Sequence, residues 1–151
     1  MNVAEEGRMF PTRVLVVDSF DLLRQWLTQF LQEHGITVVG AADTAQEAIA
    51  LASAAAPDII VTEIFLKDAS GPWLLDSIFA VSQAPVIVLT LYQDETFLRQ
   101  VIARGARGIV QKTETPDTLL QALRTVHAGG SWLPNPRFNP FNHPAEQGPE
   151  L

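Results

Sequence analysis

Four residues of chemically useful type close short apolar runs in this chain. Asp18 follows Val14-Leu15-Val16-Val17, Glu63 follows Ile59-Ile60-Val61-Thr62, Thr90 follows Val86-Ile87-Val88-Leu89, and Lys112 follows Ile109-Val110-Gln111. Brought together, two carboxylates, a hydroxyl and an ammonium group make a compact polar ligand site of mixed charge. Paired carboxylates also suit general acid–base work, but no sugar-binding or nucleophilic constellation accompanies them, and an independent enzyme is not expected. His34, His127 and His143 fall in helix ends or the tail without metal-ligand spacing. With no cysteine in the chain, disulfides, thiolate catalysis and Cys-ligated zinc are excluded.

The runs that carry these residues have the character of strands buried on both faces, since neither side alternates with polar residues. Between them lie helical periods. Leu23, Trp26, Leu27, Phe30 and Leu31 fall at i, i+3, i+4, i+7 and i+8, a one-sided apolar stripe that Gly35 ends. Thr37-Val38-Val39 makes a second strand, and Thr44-Ala45-Gln46-Glu47 is a capping box opening an alanine-rich helix to about Ala56. A third strand covers Asp58 to Glu63. A helix from about Gly71 to Val81 follows, with Pro72 in its first turn. After the fourth strand, a helix spans about Asp94 to Arg104. The fifth strand, Gly108 to Lys112, leads to a helix with Thr115 as N-cap, Pro116 at the first position and Leu119, Leu120, Leu123 and Val126 as its stripe.

Five β-α units in strict alternation predict an α/β fold, (βα)5, with a parallel sheet, right-handed crossovers and helices on both faces. In such a sheet the carboxyl edge is where ligand sites form, which is where Asp18, Glu63, Thr90 and Lys112 all sit. Three segments are expected: a flexible N-terminal stretch (residues 1–12), one domain (13–133) and a Pro-rich extended or disordered tail (134–151).

The formal charge of −7 and sequence pI of about 4.8 oppose binding to polyanions, so neither direct nucleic-acid binding nor adhesion to an anionic membrane is expected. Met1 to Phe10 lacks the basic and apolar stretches of a signal peptide, and no apolar run approaches the roughly 18 residues of a membrane span. A cytoplasmic location is the expectation.

The order and flanks of these motifs resemble bacterial response-regulator receiver domains. The resemblance rests on Val14-Leu15-Val16-Val17-Asp18, Pro57-Asp58-Ile59-Ile60-Val61-Thr62-Glu63, Val86-Ile87-Val88-Leu89-Thr90 and Gly105-Ala106-Arg107-Gly108-Ile109-Val110-Gln111-Lys112, and spans residues 13–133. It implies a flavodoxin-like five-stranded sheet in the order 2-1-3-4-5. Ala128-Gly129-Gly130-Ser131-Trp132-Leu133, and Lys112 followed by Thr113 in place of proline, are similar to the subfamily carrying a LuxR-type helix-turn-helix output. The residues after Leu133 are too few for that output domain.

In that family, paired acidic residues after the first strand hold Mg²⁺, an aspartate ending the third strand accepts the phosphoryl group, and a threonine and a lysine bind it there. Carried over residue by residue, Asp18 is the first acidic position and Ser19 stands where the second acid is lost. Glu63 replaces the phosphoacceptor, and Thr90 and Lys112 are retained. Ile109 stands at the aromatic switch position and Lys67 at a usual proline. Residual metal ligands would be Asp18, Glu63 and the Phe65 carbonyl, so Mg²⁺ binding is expected to be weak or absent and no cofactor is assigned. Asp21, one helical turn on, is expected to serve the helix dipole rather than the metal. Glu63 is expected to reach Lys112 and Thr90.

These departures imply a pseudo-receiver in two-component signalling, acting by phosphorylation-independent protein–protein interaction. The partner surface implied is the fourth helix, fifth strand and fifth helix, engaged by another protein or by a homodimer. Two alternatives stand beside it: a small-ligand-sensing receiver-like domain, and the receiver half of a transcriptional regulator whose DNA-binding domain lies outside this chain.

Overall fold

The computed structural model describes residues 12–134, so the N-terminal stretch before them and the Pro-rich tail, with its Asn-Pro pairs and His143, lie outside the described residues. Five strands and five helices alternate: β1 (Arg13–Val17), α1 (Asp21–Glu33), β2 (Thr37–Ala42), α2 (Ala45–Ala54), β3 (Ile59–Thr62), α3 (Trp73–Phe79), β4 (Val86–Thr90), α4 (Glu95–Ala103), β5 (Gly108–Gln111) and α5 (Pro116–His127). The sheet is parallel with the order β2-β1-β3-β4-β5, as the alternation and the resemblance predict.

The central strands β3 and β4 are buried at every position, which is why their sequences read as unbroken apolar runs. Their side chains divide between two cores. On one face Leu15, Ile60, Val86, Val88 and Ile109 pack under α2, α3 and α4. On the other, Val14, Val16, Ile59, Val61, Ile87 and Val110 pack under α1 and α5. This assignment follows from the period-two alternation of strand side chains.

Several element details differ from expectation. In α1 only Leu27 and Leu31 of the stripe are fully buried, while Trp26 lies exposed. The aromatic side chains at that helix edge associate instead along the surface, Trp26 stacked on Phe30 at 5.0 Å and Phe30 tilted against His34 at 4.5 Å. Helix α3 is shorter than expected, with Pro72 as its N-cap (φ −65°, ψ −19°) rather than its first residue. The capping box of α2 forms in one direction: the Glu47 N–H donates to Thr44 Oγ1 (3.1 Å), whereas the Glu47 carboxylate receives the N–H of Asp43 (3.3 Å) and not that of Thr44. Strand β2 runs three residues beyond Val39, through a register shift opposite Val14 and Leu15.

Beyond α5, Trp132 lies parallel to the start of β5. Its N–H donates to the Arg107 carbonyl (2.8 Å) and its carbonyl accepts from Ile109 (2.8 Å), while its ring packs on the α1–α5 core. The Gly-Gly-Ser-Trp ending therefore belongs to the folded unit.

Candidate functional site

The four strand-end residues converge at the carboxyl edge of the sheet. Asp18 leaves β1 and Glu63 leaves β3, strands that are direct neighbours. Thr90 ends β4 and Lys112 follows β5. Asp18, Glu63 and Thr90 are all buried. The Lys112 ammonium lies between the two carboxylates, 2.8 Å from Asp18 Oδ2 and 2.9 Å from Glu63 Oε1. That ammonium is the partner of the buried Asp18 Oδ2 atom, which has no other. Burial pulls the Lys112 pKa down, but the hydrogen bonds and charges of Asp18 and Glu63 together outweigh it and hold the pKa above its ordinary 10.5.

The remaining carboxylate oxygens are also engaged. Asp18 Oδ1 accepts from the Phe20 N–H (2.8 Å). Glu63 Oε2 turns back onto its own loop, accepting from Ile64 N–H at 2.9 Å and more weakly from Phe65 N–H at 3.4 Å. The extra methylene of glutamate permits this: the carboxylate spans from the lysine to the backbone at the start of its own loop. Glu63 makes no hydrogen bond with Thr90, whose hydroxyl instead accepts from the Tyr92 N–H (3.2 Å). The expected contact with Lys112 is therefore present and that with Thr90 is not, because the Thr90 hydroxyl is committed to its own β4–α4 turn.

Ser19 is a structural hub. Its hydroxyl donates to the Asp43 carbonyl (2.7 Å) and accepts from the Lys67 N–H (3.1 Å). The Lys67 ammonium meets the Asp43 carboxylate at 2.9 Å, and this hydrogen bond lowers the Asp43 pKa and raises that of Lys67. Next in sequence, Asp68 accepts the N–H groups of Ala45 (2.7 Å) and Gln46 (3.1 Å), capping α2 from the far loop; those two hydrogen bonds hold its carboxyl below the usual range. The loop after β3 is thus tied to the loops after β1 and β2 through Ser19, Asp43, Lys67 and Asp68. In the sequence Lys67 stands out only as a position where the family usually has proline, and no local pattern marks Asp43 or Asp68. Their partners lie 22 to 24 residues away, a distance no local pattern reports.

Asp21 is paired with Arg24 (2.8 Å), and Arg24 in turn donates to the Asp18 carbonyl (2.8 Å). Ile109 is fully buried in the α2–α4 side of the core. An aromatic cluster that the sequence did not announce joins the loops after β3 and β4: Phe65 stacks on Tyr92 (4.2 Å) and on Phe97 (5.1 Å). On the other flank the Phe20 ring centroid lies 5.7 Å from the Lys112 ammonium.

A divalent cation such as Mg²⁺ requires several oxygen ligands in near-octahedral array at about 2.0–2.1 Å. The donor set does not fit it. An ammonium already sits between the two carboxylates, the Ser19 hydroxyl is spent on two loop contacts, and among the described residues no three His, Asp or Glu side chains gather as a metal set.

Residues 14–124 match the response regulator receiver domain family. Among curated proteins the chain is similar to the transcriptional regulatory protein LnrK of Bacillus subtilis, at 29% identity over 81% of this chain and 56% of LnrK. It is also similar to the response regulator GacA of Pseudomonas aeruginosa, at 28% identity over 80% of this chain and 58% of GacA. The chain thus spans a little over half the length of these relatives. Among solved structures it resembles a LuxR-family two-component response regulator from Aurantimonas sp. SI85-9A1, with a TM-score of 0.77 and 27% identity over 85% of this chain and 93% of that one. The isolated REC domain of RcsB from Salmonella enterica serovar Typhimurium shares the fold, with a TM-score of 0.76 and 21% identity over 86% of this chain and 99% of that one.

Proposed function

The chain belongs to the response regulator receiver domain family, and from that premise we propose that it is a two-component signalling module working through protein–protein contact without phosphorylation, Glu63 standing in the phosphoacceptor's place. The observation that carries this is the Lys112 ammonium lodged between Asp18 and Glu63, at 2.8 and 2.9 Å. Phosphoryl transfer to a carboxylate needs an attacking oxygen in line with the donor and positive charge on the transferred group's oxygens. Both Glu63 oxygens are engaged, one by the lysine and one by the Ile64 N–H. A carboxylate displaced by about 1 Å already loses on the order of 10²-fold in a positioned reaction. Loss of the second acidic group at Ser19 weakens the hold on the metal that would supply the charge.

In this proposal the Glu63–Lys112 pair holds the pocket in one arrangement, and the loop after β3 is kept in place by Ser19, Lys67 and Asp68 rather than by a cation. The surface of α4, β5 and α5 is then available to a protein partner in that single state, with Leu91 and Tyr92 exposed at its upper end. The test is incubation with a small phosphodonor and Mg²⁺ followed by intact-mass measurement. The expected result is an unmodified chain, and a stoichiometric adduct on Glu63 overturns the proposal.

A second reading concerns output. LnrK is named a transcriptional regulatory protein, and this chain spans 56% of it. A role as the receiver half of a transcriptional regulator is compatible with the same pocket. It predicts that a fused helix-turn-helix domain binds its DNA equally well with and without phosphodonor.

A further inference from the structure

A cavity of about 420 Å³ lies at the amino edge of the sheet, opposite the edge that gathers Asp18, Glu63, Thr90 and Lys112. That volume is within the range of small-molecule sites. Asp58, Pro85 and Arg107, the residues immediately before β3, β4 and β5, line one side of it. The other side comes from the carboxyl-terminal ends of three helices: Phe79 closes α3, Gly105 follows α4, and Val126 and Gly129 stand at the end of α5. Each such end carries a partial negative charge of about one half, which favours cations. The guanidinium groups at this edge already follow that rule. Arg13 donates to the Ala55 and Ala56 carbonyls beyond α2 (2.6 and 3.2 Å), and Arg107 to the Gly129 and Gly130 carbonyls beyond α5 (2.7 and 3.2 Å).

We infer that this cavity binds a small organic amine, its protonated nitrogen held at Asp58 and its apolar body laid against Phe79. Asp58 is fixed for that task. Its backbone N–H donates to the Arg13 carbonyl (2.7 Å) and one carboxylate oxygen accepts the Arg13 backbone N–H (2.8 Å). The other carboxylate oxygen accepts no hydrogen bond among the described residues. Phe79 is half-buried and packs against the core. Gly105, at φ +112°, leaves the ring its place, since a Cβ there would lie 3.2 Å from Phe79 Cε2. Ala84, Pro85 and Val126 continue the apolar lining. An ammonium beside an aromatic face gains further attraction from the ring, and the net charge of −7 raises the local concentration of cations. An anionic ligand is disfavoured, because Asp58 and the helix ends repel it and Arg107 is directed to two backbone carbonyls. The exposed His127 at the same cavity is the one other basic group of its lining.

The experiment is an NMR titration of the isotope-labelled 151-residue chain with phenethylamine, in about 150 mM salt to screen non-specific attraction. Phenethyl alcohol and phenylacetate serve as neutral and anionic counterparts of similar shape. The amine is expected to give saturable shifts centred on the amides of Asp58, Phe79, Gly105 and Gly129, with a dissociation constant of about 1 mM or lower. The alcohol and the acid are expected to bind at least about tenfold more weakly. Asp58→Asn keeps an oxygen for the Arg13 N–H and is expected to weaken the amine by at least about tenfold. Asp117→Asn, which removes an exposed acid at the start of α5, is expected to leave it unchanged. The comparison of the three compounds uses the wild-type chain, so it decides the matter even where a variant is unstable. Equal binding of the alcohol, tighter binding of the acid, shifts spread over the acidic surface, or no saturation by about 10 mM overturns the inference. The site lies at the edge of the sheet away from Glu63 and Lys112, and none of these outcomes bears on the phosphodonor result.

Discussion

The Glu63 carboxylate and the Lys112 ammonium stand 2.9 Å apart, both enclosed by the protein. Asp18 completes a triad of two buried anions around one largely covered cation. In a receiver fold this is the place where a phosphoryl group would gather positive charge, and here the positive charge is already consumed by side chains.

Removing the cation exposes the cost of that arrangement. Lys112→Met leaves two buried carboxylates facing each other without compensation, and breaking a buried ion pair in this way typically costs about 3–5 kcal/mol. Urea unfolding at neutral pH is expected to show a loss of that size, and a loss under about 1 kcal/mol would mean that water reaches the triad freely.

The same lysine fixes a pH dependence. Because its folded pKa lies above 10.5, its contribution to stability is fully present below 10.5 and is lost as pH rises through the folded value. The stability gap between wild type and Lys112→Met, taken from urea curves, is expected to be level between about pH 8 and 10 and to narrow above that. A gap that instead widens with alkalinity contradicts the assignment.

Restoring the lost acids is expected to restore chemistry only in combination. Glu63→Asp alone shortens the arm but leaves one metal acid missing, so little adduct forms with a small phosphodonor. With Ser19→Asp added, Mg²⁺ is expected to raise the Tm through binding to the native state and a phosphorylated species to accumulate. Wild type is expected to show no Mg²⁺-dependent change in Tm. Equal adduct in the single and double variants would argue that Ser19 is irrelevant.

The α2 cap supplied by Asp68 is a long-range one, and Asp68→Ala is expected to lower the Tm and fray the start of α2 as seen by amide exchange at Ala45 and Gln46. Its carboxyl is held below 3.8, so the stabilisation it gives is present above that value and lost as pH falls through the lower folded one. The difference between wild type and variant therefore disappears in acid.

Ile109 is packed on every side, so Ile109→Ala is expected to cost about 2–5 kcal/mol by leaving a cavity. Ile109→Tyr, which installs an aromatic, is expected to cost about 1–3 kcal/mol through overpacking. A stabilised tyrosine variant would show that the core beside α4 holds room for a moving ring.

Much of this molecule is written locally. Four apolar runs each ending on a polar residue, separated by helical periods, determined the parallel α/β sheet and put Asp18, Glu63, Thr90 and Lys112 on one edge. That follows because strand burial and helix amphipathicity are properties of neighbouring residues, and connection handedness does the rest. The tertiary structure alone decided how those four groups pair. Lys112 chose both carboxylates, Thr90 chose the backbone of Tyr92, and Ser19, Lys67 and Asp68 found partners more than 20 residues away. It also decided that Trp26, at a core position in the helical period, lies half exposed, while Leu27 and Leu31 of the same stripe are buried against the sheet. Side-chain pairing is settled by distances across the fold, and periodicity along the chain carries no measure of them.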